Sequence, residues 1–192
     1  MWRKVAAPVP SCLLQRLLQG DRRLIFYGQD SGLKVDVFVG AFAMCHEVDV
    51  TAGRPGIADV TSLVLTKLQV VQLTSKDVSD LLALFGDHGL GDGPEAVDVQ
   101  RVVDASRSDW GLYTTITDGM REVAGRAAAT PGCEPATARI EDLLATVEAA
   151  EKSRSWRMRA RIGRRKRWYE VPEEIEDVEG LSSDAHAGEG ER

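Results

Sequence analysis

Polar and apolar positions alternate through LKVDVFVG, where Leu33, Val35, Val37 and Val39 are interleaved with Lys34, Asp36 and Phe38. Period and β-branched content both predict a strand. Arg23–Tyr27 (RLIFY) is a second short strand candidate. The turn formers Gly28–Gly32 (GQDSG) lie between them, so the two runs predict a β-hairpin. Phe42–Val50 (FAMCHEVDV) predicts a further strand after a bend near Gly40, and Thr51–Gly56 (TAGRPG) a loop.

From about residue 58 the spacing becomes helical. Leu63, Leu65, Leu68, Val71 and Leu73 predict a first helix, with Asp59, Thr61 or Ser62 able to cap it. Thr74 and Ser75 interrupt the run. Ser75 reads as the N-cap of a second helix, with Val78, Leu81, Leu82 and Phe85 on one stripe, ended by the glycines from Gly86 onward. Tyr113–Ala129 and Ala136–Ser153 predict two more helices, the latter with Ile140, Leu143, Leu144 and Val147 on one face. The pattern is that of an α+β chain, with a small antiparallel or mixed sheet over about 22–50 and helices from about 58 to 165.

Composition is that of an ordinary globular protein, 43% apolar and 28% charged. No apolar run is long enough to span a bilayer, so no membrane association is expected. Three cysteines, Cys12, Cys45 and Cys133, form no CxxC pair, which fits reduced thiols in a cytoplasmic setting. The net charge of −6 hides an asymmetry: KSRSWRMRARIGRRKRWY, residues 152–169, holds nine basic residues and no acid. VPEEIEDVEG and the remaining tail are acidic, and disorder is expected beyond about residue 180. These shifts divide the chain into an irregular segment 1–20, a core 21–92, a helical region 93–169 with a basic end, and an acidic tail 170–192.

The chain has no GxxxxGK[ST], no GxGxxG and no GxSxG, which leaves P-loop, dinucleotide and serine-elbow chemistry unsupported. Adjacent strand residues point to opposite faces, so Cys45, His46 and Glu47 read as structural rather than as one metal site. His88 reads as a helix-end residue favoured by the dipole. Asp36 has two readings. It sits on the solvated face of an edge strand, or it belongs to a metal site, because an unpartnered carboxylate in an apolar strand is expensive.

The strand KVDVFVG, the helix core Thr66-Lys67-Leu68 and the following Lys76-Asp77-Val78-Ser79-Asp80 together resemble the later half of a nucleotidyltransferase-fold domain. The family is the DNA polymerase β superfamily, and the likeness is to its bacterial minimal nucleotidyltransferases. The resemblance covers about Arg22 to Gly89. It implies a partial nucleotidyltransferase-like sheet followed by a helical C-terminal region. It also implies that Asp36 is the third catalytic, metal-binding carboxylate, and that Lys67, Lys76, Asp77 and Asp80 bind a nucleoside triphosphate (NTP) with Mg²⁺. In-line nucleotidyl transfer uses two Mg²⁺ ions on carboxylate and phosphate oxygens. The GS or GG turn and the DhD carboxylate pair of the family are absent upstream of Asp36. The chain is therefore expected to be truncated or degenerate, with a start upstream of Met1 or a lost catalytic half, and inactive in this form.

The basic segment 152–169 gives the competing class, a non-catalytic module binding RNA or a protein partner through residues such as Arg157, Arg164, Arg165 and Trp168. Arginines with interleaved aromatic rings can contact phosphates and stack on unpaired bases. The plainer reading is an arginine-rich helix whose heads pair with the acidic run Glu170–Glu179. RWYEVPEE is distinctive but carries no assigned mechanism.

Overall fold

The structure is a computed structural model that describes residues 2–4, 23–28, 34–38, 41–50 and 57–171, with only the backbone given for the first two of these and for 34–36. Strand β1 (Trp2–Lys4), β2 (Arg23–Gly28) and β3 (Lys34–Phe38) form an antiparallel sheet in the order β1-β2-β3. The β2–β3 pairing is the expected hairpin, with Ile25 opposite Asp36. β1 lies within the segment expected to be irregular. Three residues are too few to carry a period, which is why it has no sequence signal. The loop 51–56, the bend near Gly40, the rest of the N-terminal segment and the tail beyond Val171 lie outside the described residues.

The single strand expected over Phe42–Val50 is instead a tight hairpin of β4 (Phe42–Ala43) and β5 (Glu47–Val48), turning through Met44–His46. The turn breaks alternation, so Cys45 and His46 are both buried although adjacent.

Six helices follow: α1 (Val60–Leu68), α2 (Ser75–Asp87), α3 (Val99–Arg107), α4 (Trp110–Ala128), α5 (Glu134–Ala149) and α6 (Arg154–Ile162). Side-chain caps start five of them. Asp59 accepts from the Ser62 N–H, Asp98 from Arg101 and Asp109 from Gly111 and Leu112. Thr74 and Asp77 form a capping box on α2, so the cap is Thr74 and Ser75 is the first helical residue. Ser153 caps α6.

Helices α1–α5 and the β4–β5 hairpin share one core, in which Leu68, Leu81, Phe85, Ile116, Ile140 and Leu143 are among the most enclosed side chains. Helices on both sides of residue 93 contribute to it. α4 approaches the end of α1 closely at Gly119, where a Cβ would meet Leu68 Cδ2 at 3.2 Å. The buried stripe of α1 is Val60, Val64, Leu65 and Leu68, whereas Leu63 is 42% exposed. The helix also stops at Leu68, short of Val71 and Leu73.

Two substitutions on α1 test this register. Leu68→Ala should cost about 2–5 kcal/mol of unfolding free energy, the transfer term plus a cavity. Leu63→Ala should stay within about 0.5 kcal/mol. Urea unfolding of both variants reads the difference, and equal losses would contradict the assigned face.

Candidate functional site

The residues expected to bind nucleotide fall into two places. Asp36 lies in β3; the metal-ligand role expected of its side chain falls outside what is described. Lys67, Asp77 and Asp80 are brought together between α1 and α2, with Lys67 Nζ 2.8 Å from Asp77 Oδ1 and 2.7 Å from Asp80 Oδ2. Burial pushes the Lys67 ammonium down, but hydrogen bonds to Asp77 and Asp80 outweigh it and raise its pKa. Burial pushes the Asp77 carboxyl up, but hydrogen bonds from Lys67 and Thr74 hold it below its ordinary value. The cluster is thus internally paired and clamps α1 to α2. A triphosphate would have to displace two carboxylates to reach Lys67. Lys76 is exposed and takes no part in it. His88 caps α2, with Nδ1 2.9 Å from the Glu95 carbonyl oxygen. Among the described residues no group of three or more His, Cys, Asp or Glu could hold a metal ion.

The basic segment is largely exposed, and its residues divide into two groups. The first group anchors. Lys152 Nζ donates to the carbonyls of Val147, Glu148 and Ala150 at the end of α5 and sits 4.8 Å from the Tyr113 ring centroid. Burial lowers its pKa, opposed by Glu148. The edge of Trp156 meets Tyr113 at 5.1 Å between centroids. Arg159 donates to the carbonyls of Gly163 and Lys166, 2.8 Å each, and stacks over Trp110 at 4.7 Å. Arg164 pairs with Asp118 at 2.6 Å and lies 5.0 Å from the Trp168 centroid, and Arg167 lies 6.0 Å from the Tyr169 centroid.

The second group is unengaged. Arg154, Arg157, Arg161, Arg165 and Lys166 are exposed. Their side chains make no ion pair with a described residue. Arg154, Arg157 and Arg161 share one side of α6 by helical spacing. Of the residues expected to meet a partner, Arg157 and Arg165 are therefore open, Arg164 is already paired, and Trp168 is half-buried. The acidic run expected to neutralise the arginines lies outside the described residues beyond Val171.

The RWYE residues act as a strap that holds this segment to the body. Trp168 Nε1 donates to Thr115 Oγ1 (3.2 Å), and the Glu170 N–H donates to the Cys45 carbonyl (2.9 Å). Trp168 also meets Trp110 and Tyr169 edge-on at 6.0 and 5.3 Å. Gly111 makes room for the strap: a Cβ there would stand 2.6 Å from the Trp168 carbonyl oxygen and 3.3 Å from His46 Cε1.

His46 is the centre of this junction. Its backbone N–H donates to Gln69 Oε1 (2.8 Å), and Nε2 lies 2.8 Å from Thr115 Oγ1. Thr115 Oγ1 also reaches the Gly111 carbonyl (3.2 Å). It accepts from Trp168 and shares a hydrogen bond with His46 Nε2, whose direction follows the imidazole tautomer. Burial lowers the His46 pKa, opposed by the Asp109 and Glu170 carboxylates. Sequence reasoning gave His46 a structural place in a strand and did not single out Gly111 or Thr115. The only hint was the RWYE motif itself, since its docking partners lie far away in the chain.

The chain matches no protein-family model, no curated protein and no solved structure. The site is therefore read from its own geometry.

The lowered His46 pKa sets a direction for pH dependence. Above the ordinary imidazole value of about 6.5 both folded and unfolded chains hold it neutral. As pH falls through that value the unfolded chain takes up a proton first, so stability drops until the lower folded pKa is reached. The depressed carboxyls of Asp59 and Asp77 lose their contribution only near and below the ordinary carboxylate value of about 3.9. Urea midpoints between pH 7.5 and 5 should decline in the native chain and flatten in His46→Gln. An unchanged slope in that variant would remove His46 as the cause.

Proposed function

We propose that the chain is a non-catalytic nucleic-acid-binding module that holds the phosphate backbone on the arginine face of α6 and the turn after it. The observation that carries this reading is the set of five exposed basic side chains with neither an ion pair nor a ring contact among the described residues, held out by a strap on an otherwise acidic protein. Clustered guanidinium groups suit phosphate oxygens. The aromatic rings of the segment are packed internally, so they anchor the face and leave little surface for stacking on bases. Recognition then rests on charge and is indifferent to base identity.

Fluorescence anisotropy with a labelled single-stranded RNA tests it. Five phosphate contacts predict a slope of log affinity against log salt of about −3.5, and Arg157→Gln with Arg161→Gln should make it shallower by about 1.4. Oligo-A and oligo-U of equal length should bind alike. Absent or salt-insensitive binding would overturn the reading.

A second reading is a degenerate nucleotidyltransferase-like protein that uses Mg²⁺ and an NTP. It is supported by the antiparallel β2–β3 pair carrying Asp36 and by the α1–α2 hairpin that gathers Lys67, Asp77 and Asp80. On this reading the missing carboxylate pair leaves the chain inactive. Incubation with labelled NTPs, Mg²⁺ and total RNA or protein acceptors should give no transferred label. Transfer that Asp36→Ala abolishes would restore the enzyme.

A further inference from the structure

The outer surface of α6 is not uniformly basic. By helical spacing Met158 and Ile162 lie side by side along the Arg154–Arg157–Arg161 edge, and they are 61% and 46% exposed. A phosphate backbone has no use for that apolar edge. A segment alternating acids with aliphatic residues does. We infer that residues 172–181 of this same chain, PEEIEDVEGL, dock on this face and compete with nucleic acid for it; the competition, though not the docking, rests on the binding reading above.

Three observations name this occupant. Its acids Glu173, Glu174, Glu176, Asp177 and Glu179 complement the unengaged arginines, and Ile175 and Val178 sit among them to meet Met158 and Ile162. The strap passes on the opposite side of α6, where Trp110 touches both Arg159 and Trp168, and its last anchor is the Glu170 N–H on the Cys45 carbonyl. Reach is sufficient: the five residues from Glu170 to Ile175 span about 17 Å when extended, more than the roughly 10–12 Å diameter of a helix.

Linkage gives the functional consequence. A face open only part of the time binds more weakly by its open fraction, so the segment acts as a built-in competitor. The charge arrangement favours this over a second copy, since the segment is tethered to the same chain a few residues after α6 and so at high effective concentration.

The test uses the full-length chain. Carbodiimide coupling at low salt should join Lys166 Nζ to one of the carboxylates between Glu173 and Glu179, mapped by mass spectrometry. Mixing isotopically light and heavy protein should show the link within one chain. Ile175→Ser with Val178→Ser leaves the net charge unchanged and touches no described contact. It should abolish the link and tighten RNA binding about fivefold, the gain expected if the face is open about one-fifth of the time. Exposed Met158→Ser with Ile162→Ser should also abolish the link. No link, a link only between chains, or a link and affinity both unchanged in the serine variants would overturn the docking. RNA binding by the native chain without the link sinks the docking alone. A link in a chain that never binds RNA keeps the docking and sinks both the competition and the nucleic-acid reading.

Discussion

Thr115 Oγ1 is the point on which the exposed face depends. α6 has no buried residue, so it gains little of the apolar burial that usually holds a nine-residue helix, and one of that length is marginal alone. Its position comes from contacts at both ends. Lys152 and Trp156 hold the entry against Tyr113, and Trp168 and Glu170 hold the exit against Thr115 and Cys45. The exit anchor gathers His46 and Trp168 on one hydroxyl, which also reaches the Gly111 carbonyl, beside the Glu170–Cys45 bond. Each of those polar groups is costly to leave unpaired in the interior.

Helices with one clear apolar stripe were legible in the sequence. Val78, Leu81 and Phe85 of α2, and Ile140, Leu143 and Val147 of α5, are buried as their spacing predicts. α1 was misread because Val60, Leu63, Val64, Leu65 and Leu68 surround most of its circumference, and a period cannot choose a face when several qualify. Gln69 is its C-cap, and that residue's side-chain oxygen accepts from the His46 N–H, a partner distant in sequence. Likewise the helix expected from Tyr113 starts earlier, and Gly111 lies inside α4, where the Trp168 carbonyl needs the space of a side chain.

The candidate site divides in the same way. That residues 152–169 are basic follows from composition. Which arginines are free does not, because Arg159 and Arg164 are engaged by Trp110, Trp168 and Asp118, partners distant in sequence. The aromatic residues between the arginines resemble a stacking surface on paper. In the fold they are the fastening, so one composition serves two purposes that only tertiary structure separates. The same holds for Lys67, Asp77 and Asp80, which the resemblance implies to be a nucleotide site while their geometry is that of a paired clamp.

The two charge clusters differ in what they still require. Lys67 stands between two carboxylates, so its electrostatic demand is met within the fold. α6 carries four arginines and no acid in nine residues. Like charges at helical spacing repel, and Arg154 at its start opposes the dipole that Arg159 and Arg161 near its end complement. An anion on the outer edge relieves that repulsion without disturbing the strap, which contacts the other side through Trp110. Any anionic occupant that binds the folded face also stabilises it by mass action. The arginine edge is therefore a place where structure and binding favour each other, and the anchor at Thr115 is what allows so unfavourable a helix to stand ready for it.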